Sequence, residues 1–170
     1  MYQVAIIDWN SRKILSWLLS NTLDTLFCID ALKEALAKYG APKIFNSNQG
    51  CQFTSTAFTS VLMNSGTHIS MDSKGRSLHD IMIERFWRTI KNECIYINEH
   101  NTVKELTDSI EIYIYYYYAI TRHSSIGNET PDKVYKQNMG VKAGKINLIW
   151  MNFGLDNKDH YSAKSLHFNL

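Results

Sequence analysis

An α/β fold is predicted by three features of this chain. Short, apolar, β-branched runs alternate with segments whose apolar residues recur at helical spacing. Capping residues stand where those helical segments begin. Glycine or proline stands where they end. Read from the amino terminus, the 170 residues give strand, strand, helix, strand, helix, strand, helix. A chain of this length suits one domain with a sizeable core.

Tyr2 to Ile7 reads as a strand, Asp8-Trp9-Asn10-Ser11 as a turn, and Lys13 to Leu19 as the second arm of a hairpin. Asp24 is a helix N-cap, after which Leu26, Ile29, Leu32, Leu36 and Tyr39 form one stripe. Gly40 and Pro42 stop that helix. Lys43 to Asn46 is a short strand leading into the turn Asn48-Gln49-Gly50. Ser55 caps a second helix with Phe58, Val61 and Leu62 inward, and Gly66 ends it. His68 to Met71 is another strand, and Ser73 to Leu78 is a polar loop.

A third helix is predicted from about Asp80 to Tyr96, with Ile83, Phe86, Ile90 and Cys94 on its apolar side. Thr102-Val103-Lys104-Glu105 is a capping box. The helix behind it places Val103, Leu106, Ile110, Tyr113 and Tyr117 on one stripe. The run Tyr115 to Tyr118 has strand propensity, but the helical period continues into it, so helix is predicted. Beyond Tyr135 the pattern fades. The expected division is a domain over 1–136 and a loosely ordered tail over 137–170.

Composition narrows the function classes only slightly. The apolar fraction of 45% and charged fraction of 20% are those of an ordinary globular protein. A net charge of +2 permits a nucleic-acid partner without requiring one. Cys28, Cys51 and Cys94 are far apart and odd in number, which speaks against a disulfide framework or a zinc site. No apolar run reaches the ~18 residues of a membrane span. Met1 to Ile7 is too short and uncharged for a signal peptide. A cytoplasmic protein with reduced thiols and no membrane partner is expected.

The chemistry-bearing residues cluster around the predicted third helix. Glu84 lies on its polar side, and Arg88 and Lys91 follow at i+4 and i+7 on the same face. One carboxylate for a metal and two cations for phosphate suit phosphodiester chemistry, where two divalent ions ~3.5–4 Å apart can activate the nucleophile and stabilise the leaving oxygen. Hard cations held that close need several carboxylates. By itself the helix reads more readily as an ordinary solvated Glu–Arg face. Arg85 is turned about 100° from Glu84 and is expected at the core edge. Asn48 follows a strand end, where ligands gather in open α/β sheets, but its amide oxygen is uncharged.

Thirty-five residues separate Asn48 from Glu84. With Asn48-Gln49-Gly50-Cys51-Gln52-Phe53 and Ile83-Glu84-Arg85-Phe86-Trp87-Arg88, this resembles the catalytic domain of insertion-sequence transposases of the retroviral-integrase type. Ile6-Ile7-Asp8, Ser11-Arg12-Lys13, His123-Ser124-Ser125-Ile126-Gly127 and Thr130-Pro131 extend the resemblance over roughly Tyr2 to Tyr135. It implies a ribonuclease-H-like fold with a five-stranded sheet in the order 3-2-1-4-5, lacking its first, central strand here. It also implies an Asp-Asp-Glu triad binding magnesium or manganese. Glu84 matches the Glu, Asn48 replaces the second Asp, and the first Asp belongs to a strand before Met1. Asp80 stands where the family usually has Asn, and Thr121-Arg122 also depart from its pattern. Asp8 matches a turn position, not a ligand. His123 reads evenly as a DNA contact or as part of a helix-ending loop.

The function implied is that of a mobile-element transposase core, concerned with DNA integration and strand transfer and inactive as this chain. The metal site would be incomplete, with weak binding at Glu84, and Lys91 and Arg88 would contact DNA. The expected partners are the element's ends, target DNA, a homo-oligomer or an intact transposase. The alternatives are an activity retained through an upstream strand, with Asp80 substituting for Asn48, and a non-catalytic remnant that binds DNA or pairs with an intact transposase and dampens it. The missing central strand would leave its two neighbours with unpaired backbone groups, giving a marginal, aggregation-prone chain or one closed by rearranged pairing.

Overall fold

A computed structural model of the protein describes residues 1–47, 50–71, 85–138 and the backbone of 145–152. Five strands form one sheet: β1 (Tyr2–Asp8), β2 (Ile14–Ser20), β3 (Ile44–Ser47), β4 (His68–Met71) and β5 (Lys145–Asn152). The helices are α1 (Thr25–Tyr39), α2 (Cys51–Thr54), α3 (Thr56–Asn64), α4 (described over 85–95), α5 (Val103–Ala119) and α6 (Pro131–Asn138).

The sheet order is β2-β1-β5-β3-β4. β1 and β2 form an antiparallel hairpin whose register shifts between Ile6 and Ile7. Its turn is held by Asp8, whose carboxylate accepts from Ser11 N at 2.8 Å and Ser11 Oγ at 2.6 Å. Asp8 is thus the predicted turn residue. Arg12 sits in that turn at φ 68°, a left-handed conformation uncommon for a residue with a Cβ.

Alternation along β1 splits the core into two. Val4 and Ile6 join Leu15, Phe27, Cys28, Leu32, Phe45, Phe53, Phe58 and Leu62 on one face. Ala5 and Ile7 join Ile14, Phe86, Trp87, Ile90, Cys94, Leu106, Ile110 and Ile114 on the other. Helices therefore cover both faces of the sheet, as a buried mixed sheet requires. Each of the wholly buried Phe45, Phe53 and Phe58 contributes about 1.5–3 kcal/mol from burial.

The caps form as the sequence dictates. The Asp24 carboxylate accepts from Phe27 N at 3.0 Å, and Ser55 Oγ from Phe58 N at 3.3 Å. Thr102 Oγ1 accepts from Glu105 N at 3.1 Å, while the Glu105 carboxylate accepts from Asn101 N at 2.8 Å. Gly40 and Gly66 close α1 and α3 at φ 81° and 76°. The tyrosine run is helical, within α5.

Four expectations are corrected. Leu26 is 69% exposed, and Phe27, Cys28 and Ala31 take the inward face of α1. Val103 likewise points outward at the start of α5, while Ile114 is buried. The short helix α2 precedes α3 where only a turn was expected. The largest correction concerns 137–170. Residues up to Asn138 belong to α6, and Lys145–Asn152 is a strand inside the sheet. The position of the absent first strand is closed by rearranged pairing, one of the two outcomes expected: β5 fills it, antiparallel to β1 from Tyr2↔Asn152 to Asp8↔Ile146 and parallel to β3 from Ile44↔Lys145 to Asn46↔Asn147. The strand order is otherwise the expected one, with β5 in the place of the first strand.

Candidate nucleic-acid interface

Two elements frame the candidate site. β3 ends at Ser47, and Gly50 N-caps α2. Asn48 falls between those two points in sequence and lies outside the described residues. Glu84 and Asp80 also lie outside them, as does the predicted polar loop Ser73 to Leu78. The metal-ligand assignments for Asn48 and Glu84 are therefore carried by sequence alone. Among the described residues no three His, Cys, Asp or Glu side chains are grouped to hold a metal ion.

Beyond Glu84 the geometry is described. α4 docks by Phe86, Trp87 and Ile90, all buried in the second core. Phe86 lies 5.1 Å from the Trp87 ring and 5.0 Å from Tyr117 on α5, which fixes the rotation of α4 about its axis. Arg88 is consequently exposed, and Lys91, one turn on, is half-buried. Burial holds the Lys91 ammonium below its ordinary pKa. Arg85 is exposed too, so its expected place at the core edge is not where it stands.

At Lys91 the helix widens. Lys91–Ile95 is a π turn, closed by Tyr96 N donating to Lys91 O at 2.8 Å. Single π turns inside helices are rare and concentrate at functional sites. Periodicity in the sequence could not signal it, because Ile90 and Cys94 keep ordinary helical spacing across its start.

The remaining sequence candidates are structural. His123 Nε2 lies 3.2 Å from Tyr117 O, and its ring stands 4.6 Å from the Tyr117 ring. Its backbone N–H donates to Glu129 O at 3.0 Å, closing a loop that turns at Gly127 with φ 73°. His123 is thus part of a loop anchor. Cys28 and Cys94 are buried and Cys51 is exposed, all three as free thiols. Burial pushes the Cys28 thiol up to about 12 and the Cys94 thiol to about 11, so neither is a ready nucleophile. A groove beside α5 is lined by Glu93, Glu99, Glu105 and Asp108 with Tyr113 and Tyr116. Its acidic lining repels phosphate.

Comparison with known proteins bears on the family and the fold. Two family models, both described as integrase core domain, match residues 1–77 and 65–131. The chain belongs to the integrase-core family of insertion-sequence transposases. It is 33% identical over 141 residues to the transposase for insertion sequence element IS904 of Lactococcus lactis, covering 81% of this chain and 56% of that protein. It is 27% identical over 144 residues to the Escherichia coli transposase InsF for insertion sequence IS3A, covering 82% and 49%. The chain thus spans about half the length of these relatives. The catalytic core domain of HTLV-2 integrase, solved in complex with magnesium in a dimeric form, superposes with a TM-score of 0.58 at 18% identity, covering 79% of this chain and 84% of that one. The fold is therefore ribonuclease-H-like. No described helix is long and apolar enough to cross a membrane.

Proposed function

We propose that this chain is a degenerate core of a mobile-element transposase that holds DNA through Arg88 and Lys91 but does not catalyse strand transfer by itself. The observation that carries the proposal is Asn48. An integrase-core match runs through this position, yet the side chain after β3 is an amide where the family's chemistry needs an acid. Asn48 and Glu84 together supply one negative charge. That donor set does not fit two adjacent divalent cations, whose mutual repulsion demands more carboxylates. Weak capture of a single magnesium or manganese ion at Glu84 is the most it supports. No catalytic step through metal follows from these residues.

The DNA contact fares better. Arg88 is exposed on α4 and Lys91, three residues on, is half-buried; they follow Glu84 by four and seven residues. Element ends and target DNA share a phosphate backbone that both side chains can contact without reading sequence. The partner set proposed is this DNA, with a second copy or an intact transposase as protein partner.

Titration calorimetry with magnesium and with manganese tests the metal half. No tight two-site isotherm is expected, and stoichiometric binding of two ions per chain overturns the proposal. The DNA half is tested by the salt dependence of duplex binding. Arg88→Ala with Lys91→Ala should weaken binding to all sequences alike and reduce the slope of log K against log salt by about 2. An unchanged slope removes these residues from the interface.

A further inference from the structure

The middle of the sheet is filled by a segment that the family match does not include. The matched residues stop at Pro131, whereas β5 comes from 145–152. Both walls of the slot, β1 and β3, lie inside the match. β5 therefore occupies the central position of the sheet and follows the matched part in sequence after α6 and residues 139–144.

Its hold on the rest is through the ladder. Among the described elements its extensive contacts are with β1 and β3 alone, whereas β1 and β2 are also gripped by α1 and α5. The hairpin, α1 and α6 are fastened to one another independently of β5. Lys13 pairs with Asp132 at 2.6 Å, and the same ammonium faces the rings of Tyr39, Tyr118 and Tyr135 at 5.6, 5.5 and 4.9 Å. The walls also carry polar side chains poorly matched to their burial. Gln3 on β1 and Asn46 and Ser47 on β3 are buried, and none of their side-chain polar atoms has a hydrogen-bond partner among the described residues. Buried unsatisfied groups of this kind weaken the packing around a slot.

We propose that the slot between β1 and β3 is an exchangeable strand-binding site, closed within one chain by its own Lys145–Asn152 and able to receive the same strand from a second copy of this chain. The identical strand makes the identical ladder in either arrangement, with Tyr2↔Asn152 through Asp8↔Ile146 on one side and Ile44↔Lys145 through Asn46↔Asn147 on the other. Exchange of an identical element therefore changes little but the tether and is a low-cost route to a dimer. Six residues, 139–144, separate α6 from β5 in sequence. The partner strand enters as an added β-strand does at any open ladder, by backbone pairing.

Cross-strand cysteines distinguish the two arrangements. Ala5 and Ile149 are direct partners across β1 and β5, a relation that brings Cβ atoms near disulfide distance. All chains carry Cys51→Ser to remove the exposed native thiol. One chain bearing both Ala5→Cys and Ile149→Cys should form an internal disulfide on mild oxidation. Two differently tagged chains, one with Ala5→Cys and the other with Ile149→Cys, are then mixed under native conditions and oxidised. A linked heterodimer is expected, growing with protein concentration and exceeding the product of a collision control in which exposed Leu26→Cys replaces Ala5→Cys. An internal disulfide without any heterodimer above the control overturns the exchange. Absence of both bonds overturns the placement of β5 itself.

Discussion

Lys13 shows how one side chain ties distant parts of the chain together. Its ammonium pairs with Asp132, 119 residues away, inside a ring of three tyrosines. Both partners are well covered, with side chains 11% and 21% exposed. Removing the cation leaves a largely desolvated carboxylate, so Lys13→Ala should cost about 2 kcal/mol. For a chain of this size that lowers Tm by roughly 4–8 °C. The effect has a pH signature. Burial alone would raise the Asp132 pKa, but hydrogen bonds from Lys13 and Lys136 outweigh it and leave it below the ordinary carboxylate value. A depressed folded pKa stabilises above the unfolded pKa and loses that contribution as pH falls through the folded value. The gap in Tm between the native chain and Lys13→Ala should therefore narrow in acid, as thermal melts across the acid range would show. A gap that widens there contradicts the assignment. Nothing local in the sequence announces this pair. Lys13 reads as a hairpin residue, Asp132 carries no signal of its own, and only the tertiary fold brings them together.

The elements divide by how locally they are encoded. Those with capping chemistry were legible: Asp24, Ser55 and Thr102 each accept the predicted backbone hydrogen bond. For α5, Thr102→Ala should cost about 1 kcal/mol, with faster amide exchange confined to the first turn around Glu105. Uniform loss of protection along α5 would mean that the cap supports more than its own turn. Inward faces were read less well where two neighbouring residues compete. Leu26 fits the stripe of α1 by spacing, yet Phe27 fills the core because its ring meets the first cluster across β1. β5 was illegible for a different reason. A strand paired on both edges need carry no period-two pattern, and Leu148 to Met151 is a short continuous apolar run. Such a run gains a strand assignment only from its neighbours, here more than a hundred residues earlier in sequence. The π turn at Lys91 escaped because it adds a residue to the turn without removing the apolar spacing that precedes it.

At the scale of the molecule, the family and its sheet order were legible because the second-acid string, the Glu84 helix and the His123 loop keep their spacing. The site was legible only as residue types. Asn48 and Glu84 were placed by pattern, whereas the described geometry begins beyond them, with the proposed DNA contacts Arg88 and Lys91 on a helix locked by Phe86 and Trp87. This asymmetry sets the outcome of restoring the acid. Asn48→Asp adds a second carboxylate after β3, raising affinity for one divalent ion by a charge-assisted contact. It does not supply a third acid from the middle of the sheet. The strand in that position is Lys145-Ile146-Asn147-Leu148-Ile149-Trp150-Met151-Asn152, which contains no acidic residue. Two-ion chemistry on a phosphodiester needs that third ligand to offset the repulsion between cations. Asn48→Asp alone should therefore tighten manganese binding without producing cleavage of supercoiled DNA. Nicking should appear only when an acid-bearing strand replaces β5 in the slot, fused ahead of Met1 and combined with Asn48→Asp. Nicking by Asn48→Asp without that strand, abolished by Glu84→Gln, would show that the remaining acids of this chain complete the site and that the triad has been misplaced.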